Sequence, residues 1–168
     1  MNLVAIQLNS GVQWELNRQQ IVEQLATLPD ERPCLVVLPE NFACLGATAD
    51  YQAVAETLGD GPIQLQLAAW ARENEIWLVA GSLPTRVTGE TRLHTSSLVY
   101  GPDGSLQGHY HKLHLFDAYG YAESDQIEPG DRLVLIEVDG VRIGLATCYD
   151  IRFAEQFKAL AAQGAEVI

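Results

Sequence analysis

The chain has 168 residues, 48% of them apolar and 19% charged, with 22 acidic against 10 basic side chains and a formal net charge of −12. That length supports one globular domain with a sizeable core and is too short for two ordinary ones, and the composition is that of neither a disordered nor a fibrous chain. The acidic balance, with a pI near 4.5, argues against nucleic acid or an anionic membrane as a partner, because both would repel it.

No apolar run reaches the length of a membrane span, and the opening MNLVAIQLNS lacks the basic flank of a signal peptide. Cys34, Cys44 and Cys148 are odd in number and irregular in spacing. They suit a reducing compartment better than a disulfide framework, so the expected location is cytoplasmic.

Residues 3–8 (LVAIQL) read as a short buried strand, and residues 12–28 carry Trp14, Ile21, Val22, Leu25 and Leu28 at helical spacing. A second apolar run, CLVVL at 34–38, is stopped by Pro39. Residues 50–73 read as helix with a break at Gly59-Asp60-Gly61-Pro62, and residues 75–83 (EIWLVAGSL) as a third strand. This alternation predicts an α/β fold: a sheet with helical crossovers, its strands largely covered on both faces. Two hairpin signals follow, one around Gly101-Pro102-Asp103-Gly104 and one at Asp139-Gly140. Past Cys148 the pattern becomes helical through Phe153, Phe157, Leu160 and Ala161, and residues 165–168 read as a new strand after Gly164.

Ligands of α/β sheets gather at the carboxyl ends of strands, and three reactive side chains are predicted there: Glu40 in CLVVLPENF, Lys112 in GHYHKLHLFD and Cys148 in GLATCYDIRF. A cysteine at a strand-to-helix turn faces the positive end of the next helix, which favours thiolate. A carboxylate could take its proton, and an ammonium could stabilise an oxyanion. Amide cleavage by cysteine needs those three roles. Each residue also has an ordinary reading: a core thiol (as for Cys34 and Cys44), a solvated loop glutamate, a strand-edge lysine. Spacing alone does not bring them together. His109 and His111 share a strand face as a weak candidate metal pair, without a third ligand at suitable spacing. Ser96-Ser97 ahead of Lys112 raises a serine-lysine alternative, but without the glycine-rich surround such a serine would want. No phosphate-cradling loop is present.

The blocks LPENF, HKLHLFD, YAESDQIEPGD and GLATCYDIRF resemble, in order and over almost the whole chain, the signature blocks of the nitrilase superfamily, the carbon–nitrogen hydrolases. The resemblance implies an αββα sandwich, a Glu40–Lys112–Cys148 triad, a supporting Glu123 near the lysine, and the Tyr149 backbone N–H as an oxyanion donor. It implies no cofactor, no metal, a small-molecule amide as partner, and a homodimer or higher homo-oligomer. Asp150 and Arg152 would fix the elbow after the nucleophile. The branch resembled most is that of bacterial deaminated glutathione amidases, then ω-amidases acting on α-ketoglutaramate-type substrates; N-carbamoyl amino acid hydrolysis is an alternative. Ala154 stands where many such sequences carry proline, which removes rigidity but no chemical group. Residues 1–168 would correspond to a single carbon–nitrogen hydrolase domain incomplete at its C-terminus, roughly the first three-fifths. A truncated, non-catalytic chain that binds another chain through an exposed strand edge is the competing expectation.

Overall fold

The computed structural model describes residues 1–89 and 91–168. The first half alternates strand and helix: β1 (Asn2–Ala5), α1 (Trp14–Leu25), β2 (Cys34–Leu38), α2 (Thr48–Val54), β3 (Glu56–Thr57), α3 (Pro62–Glu73) and β4 (Trp77–Arg86). β1, β2 and β4 run parallel, with Val36 level with both Val4 and Leu78. The first predicted hairpin forms β5 (His94–Tyr100) and β6 (Leu106–His111), which extend the sheet antiparallel. The strand order is β1-β2-β4-β5-β6, with β3 beside β4.

The continuous apolar runs place hydrophobic side chains on both faces of this sheet. Val36, Leu38, Leu78, Ala80 and Leu98 pack against Ile21 and Leu25 of α1 and Ile63, Leu67 and Trp70 of α3. Burying each of the fully enclosed leucines contributes roughly 1.5–3 kcal/mol relative to leaving it in water. Leu35, Val79, Val99 and Tyr110 look the other way, onto Ile136, Val138, Ile143 and Leu145. These belong to, or directly follow, the second hairpin, β9 (Leu135–Val138) and β10 (Val141–Gly144), which turns at Asp139-Gly140. A short β7 (Asp117–Ala118) and β8 (Tyr121–Ala122) lie before it. Outside the second hairpin runs α4 (Ala154–Ala162), with Leu160 so close to Gly144 that a Cβ there would sit 3.1 Å from the leucine Cδ1. The layers are helix, sheet, sheet, helix, the αββα order the resemblance implies.

Four expectations change. β1 ends at Ala5 rather than residue 8. The helical stretch predicted over residues 50–73 does resume at Pro62, after the expected break, but its first part ends early: the chain leaves helix at Ala55 and adds Glu56–Thr57 to the sheet. The Glu56 carboxylate then takes the Ile63 and Gln64 N–H groups (2.6 and 3.0 Å), capping α3. Residues 165–168 form no strand, only a bridge between Val167 and Ile143. The second sheet face is not fully covered: Leu3 is 58% and Val37 38% exposed, beside an apolar cavity of about 350 Å³ that also meets Leu35, Val79, Ile143 and Ile168.

Candidate active site

Glu40 emerges where Pro39 ends β2. The loop is held from β4: the Asn41 N–H donates to Ser82 Oγ at 2.8 Å, and Asn41 takes a left-handed φ of 57°. Gly81 permits this approach, since a Cβ there would fall 1.9 Å from the Pro39 carbonyl oxygen. The register of β4 against β5 slips between Ala80 and Leu83.

Lys112 directly follows β6 and is 2% exposed. Its N–H donates to Thr95 O (2.9 Å) and its C=O accepts from Gly130 N (2.9 Å), so the backbone is fixed on both sides. Its Nζ donates to both oxygens of Glu123 (2.9 and 3.1 Å) and lies 3.6 Å from Glu40 Oε1. Glu123, itself buried, accepts further bonds from the Phe116 N–H at 2.7 Å and the Thr95 hydroxyl at 3.5 Å.

Cys148 opens a 3-10 turn, Cys148–Arg152, with φ 51°. That left-handed conformation costs roughly 1–3 kcal/mol for a residue with a Cβ and persists only where its surroundings hold it, commonly at functional sites. Glu40, Lys112, Glu123 and Cys148 line one cavity of about 190 Å³, with Asn41, Tyr51, Ser82, Thr95, Phe116, Tyr121 and Gln126 among its other walls.

The electrostatics reverse one expectation. Although Cys148 keeps solvent exposure, loss of water on its cavity side first, then the charge and hydrogen bond of Glu40, push its thiol up to about 11; the opposing Lys112 does not overcome them. The resting sulfur is a thiol facing a carboxylate rather than a helix-stabilised thiolate. For Lys112, burial alone would push the ammonium down, but hydrogen bonding and charge from Glu123, then Glu40 and Cys148, carry it above its ordinary value.

The remaining candidates separate. Cys34 and Cys44 are fully buried. The Tyr149 ring stands edge-on to Phe116 (5.1 Å, 90°). Asp150 is fully buried and Arg152 exposed. The serine-lysine alternative fails on placement: Ser96 Oγ is bonded to Thr85 Oγ1 (2.5 Å) and His111 Nδ1 (2.7 Å), while Ser97 lines the apolar cavity. Among the described residues no group of three histidine, cysteine or carboxylate side chains could hold a metal ion. His111 is instead stacked on His94 at 4.1 Å with His109 at 4.9 Å. Of the walls, Asn41 and Phe116 fall within the blocks LPENF and HKLHLFD, though nothing there marks them as lining residues; Ser82 and Thr95 lie outside every block, and only Thr95 is recoverable from sequence, through the β5–β6 hairpin register that brings it to Lys112.

The histidine stack makes its own prediction. Burial, then His94, His109 and Arg132, push the His111 imidazole from 6.5 down to about 4, against a smaller upward pull from Asp131. Below pH 6.5 the unfolded chain takes up a proton that the folded chain refuses until about pH 4, so this histidine removes stability as pH falls through that window. Thermal melts from pH 7 to 4 should show a shallower loss for His111→Gln than for the parent; equal slopes would rule the contribution out.

The chain as a whole matches known proteins in sequence and fold. The sequence profile described as carbon-nitrogen hydrolase matches residues 3–168. The chain is 37% identical over 99% of its length to the deaminated glutathione amidase of Yersinia enterocolitica, spanning 60% of that protein. It is 34% identical over 80% of its length to omega-amidase NIT2 of Bos taurus, spanning 49% of it. The crystal structure of Saccharomyces cerevisiae Nit3, described as a member of branch 10 of the nitrilase superfamily, superposes with a TM-score of 0.82 at 27% identity, covering 97% of this chain and 60% of Nit3. The chain thus spans about three-fifths or less of these relatives. With the family profile running from Leu3 to Ile168 and that superposition on a solved member, this chain belongs to the carbon-nitrogen hydrolase family of the nitrilase superfamily.

Proposed function

We propose that the protein hydrolyses the C–N bond of a small carboxylated amide to an acid and ammonia through a thioester on Cys148. The observation that carries this reading is an almost fully buried ammonium, Lys112, held 2.9 Å from Glu123 and 3.6 Å from Glu40 in the cavity that Cys148 also lines. Glu40 takes the thiol proton as the sulfur attacks the amide carbon. The oxyanion forms against Lys112 Nζ and the Tyr149 backbone N–H. Protonated Glu40 gives that proton to the departing nitrogen, which leaves as ammonia, and then activates the water that cleaves the thioester. A thiol raised to about 11 is consistent with this order, because the sulfur gains nucleophilic character only as the base takes its proton.

The names of the relatives support the substrate class: deaminated glutathione amidase first, omega-amidase second. Within the cavity, Lys112 is already engaged by both carboxylates. A substrate carboxylate is therefore placed away from Glu40 and Glu123, where it would meet like charge. The chain acts in the cytoplasm as a homo-oligomer in this reading.

Incubating the protein with deaminated glutathione or α-ketoglutaramate, quenching in acid and taking intact and peptide masses tests it. Ammonia release with an acyl adduct on the Cys148 peptide, both lost in Cys148→Ser, is the expected result. A folded sample giving neither turns the assignment to the non-catalytic alternative, and turnover retained in Cys148→Ser removes the thioester.

A further inference from the structure

Asp150, two residues past Cys148 and 0% exposed, accepts four hydrogen bonds on one carboxylate. Its Oδ1 takes the His114 backbone N–H at 3.0 Å and His114 Nδ1 at 2.9 Å; its Oδ2 takes the Tyr110 hydroxyl at 2.6 Å and the Thr147 N–H at 2.8 Å. Those donors belong to two separate segments. Tyr110 and His114 lie two residues before and two after Lys112, while Thr147 immediately precedes Cys148. One buried carboxylate therefore ties the ammonium's strand end to the sulfur's turn.

The tie has little freedom. The Tyr110 hydroxyl already accepts from the Leu113 N–H (3.1 Å) and Gln156 Nε2 (3.0 Å), so its single hydrogen is left for Asp150. The His114 ring lies flat on Phe153, 3.6 Å between centroids at 10°. Phe153 meets Tyr149 edge-on at 5.4 Å, and Tyr149 meets Phe116 at 5.1 Å. The Phe116 N–H in turn bonds the Glu123 carboxylate that holds Lys112. The contacts close a ring around the lysine and the nucleophile turn.

We infer that Asp150 is a positioning residue for the proposed hydrolysis: its carboxylate fixes the Cys148 turn, in its left-handed conformation, at a set distance from Lys112. This rests on the amidase reading above. Asp150→Asn keeps the shape and the oxygen facing His114 but turns an N–H donor toward two donors, the Tyr110 hydroxyl and the Thr147 N–H. A displacement of about 1 Å at the reacting centre is worth roughly a hundredfold in rate.

The test measures kcat per titrated Cys148, KM and melting temperature for the parent, Asp150→Asn and Tyr110→Phe. The expected result is kcat lower by about a hundredfold in Asp150→Asn and about tenfold in Tyr110→Phe, with KM changed less than threefold in both. A purely structural cap would lower the melting temperature and leave kcat per titrated thiol alone, so kcat within twofold of the parent in the folded variants overturns the inference. Equal tenfold changes in kcat and KM overturn it too. If Asp150→Asn does not fold, Tyr110→Phe decides by the same criteria. A folded parent with no ammonia release and no acyl adduct overturns the amidase reading itself, and this one with it.

Discussion

Glu40→Gln is expected to make Cys148 a better thiolate and a worse catalyst at once. Glu40 is the strongest influence after burial holding the thiol up at about 11, by its charge and by its hydrogen bond. The amide of glutamine removes the charge, so the thiol falls toward its ordinary range and the pH profile of alkylation by iodoacetamide shifts to lower pH. Amide hydrolysis should nevertheless fall by about a hundredfold to ten-thousandfold, the usual size of a lost general base, because no group remains to protonate the leaving nitrogen or activate water. The fold should tolerate the change: the Glu40 side chain is 32% exposed and its 3.6 Å contact with Lys112 is the looser of the two carboxylate contacts. Alkylation and hydrolysis falling together would mean that Glu40 merely shapes the turn. Hydrolysis surviving within tenfold would remove it as the base.

That opposition between thiol ionisation and turnover was not visible in the sequence. Glu40, Lys112 and Cys148 follow β2, β6 and β10 in the chain, a placement legible in the sequence because short β-branched runs followed by Pro39, by the end of β6 and by a helical pattern are local signals. The positive end of a following helix, read from the same pattern, would favour thiolate. In the fold, the 3-10 turn is short, and loss of water on the cavity side, then the carboxylates of Glu40 and Glu123, outweigh the lysine. Long-range charge of this kind depends on which strand ends are neighbours, and spacing does not carry that.

The fold shows the same division. CLVVL became β2 with its predicted ends, and both hairpins formed where Gly-containing turns lie between alternating runs. Residues 55–57 read as helix because Glu56 is a helix former, whereas in the fold its buried carboxylate caps the next helix. Residues 165–168 are apolar enough for a strand, yet only Val167 bridges Ile143. A propensity is realised as a strand only where a partner lies alongside. Gly81 had no sequence signature at all; its role follows from the 1.9 Å approach of the Pro39 carbonyl to an absent Cβ.

Lys112→Ala should cost both activity and stability, and separating the two is the stronger test of the site. Loss of an oxyanion-stabilising charge lowers the rate by about a hundredfold or more. Removing this ammonium also leaves Glu123, with its side chain 11% exposed, facing Glu40 without a counter-ion. Breaking a buried pair in this way costs roughly 3–5 kcal/mol, a drop on the order of 10 °C in melting temperature for a chain of this size. A dead Lys112→Ala protein alone would therefore say little about chemistry. The double variant Lys112→Met with Glu123→Gln removes the stranded charge while filling the volume, and the glutamine oxygen can still accept the Phe116 N–H that Glu123 takes at 2.7 Å. Most of the lost melting temperature should return while hydrolysis stays down by the same factor, since no cation then meets the oxyanion. Activity that recovers along with stability would assign Lys112 to holding the fold, and the oxyanion would have to be stabilised by backbone N–H groups at the Cys148 turn alone.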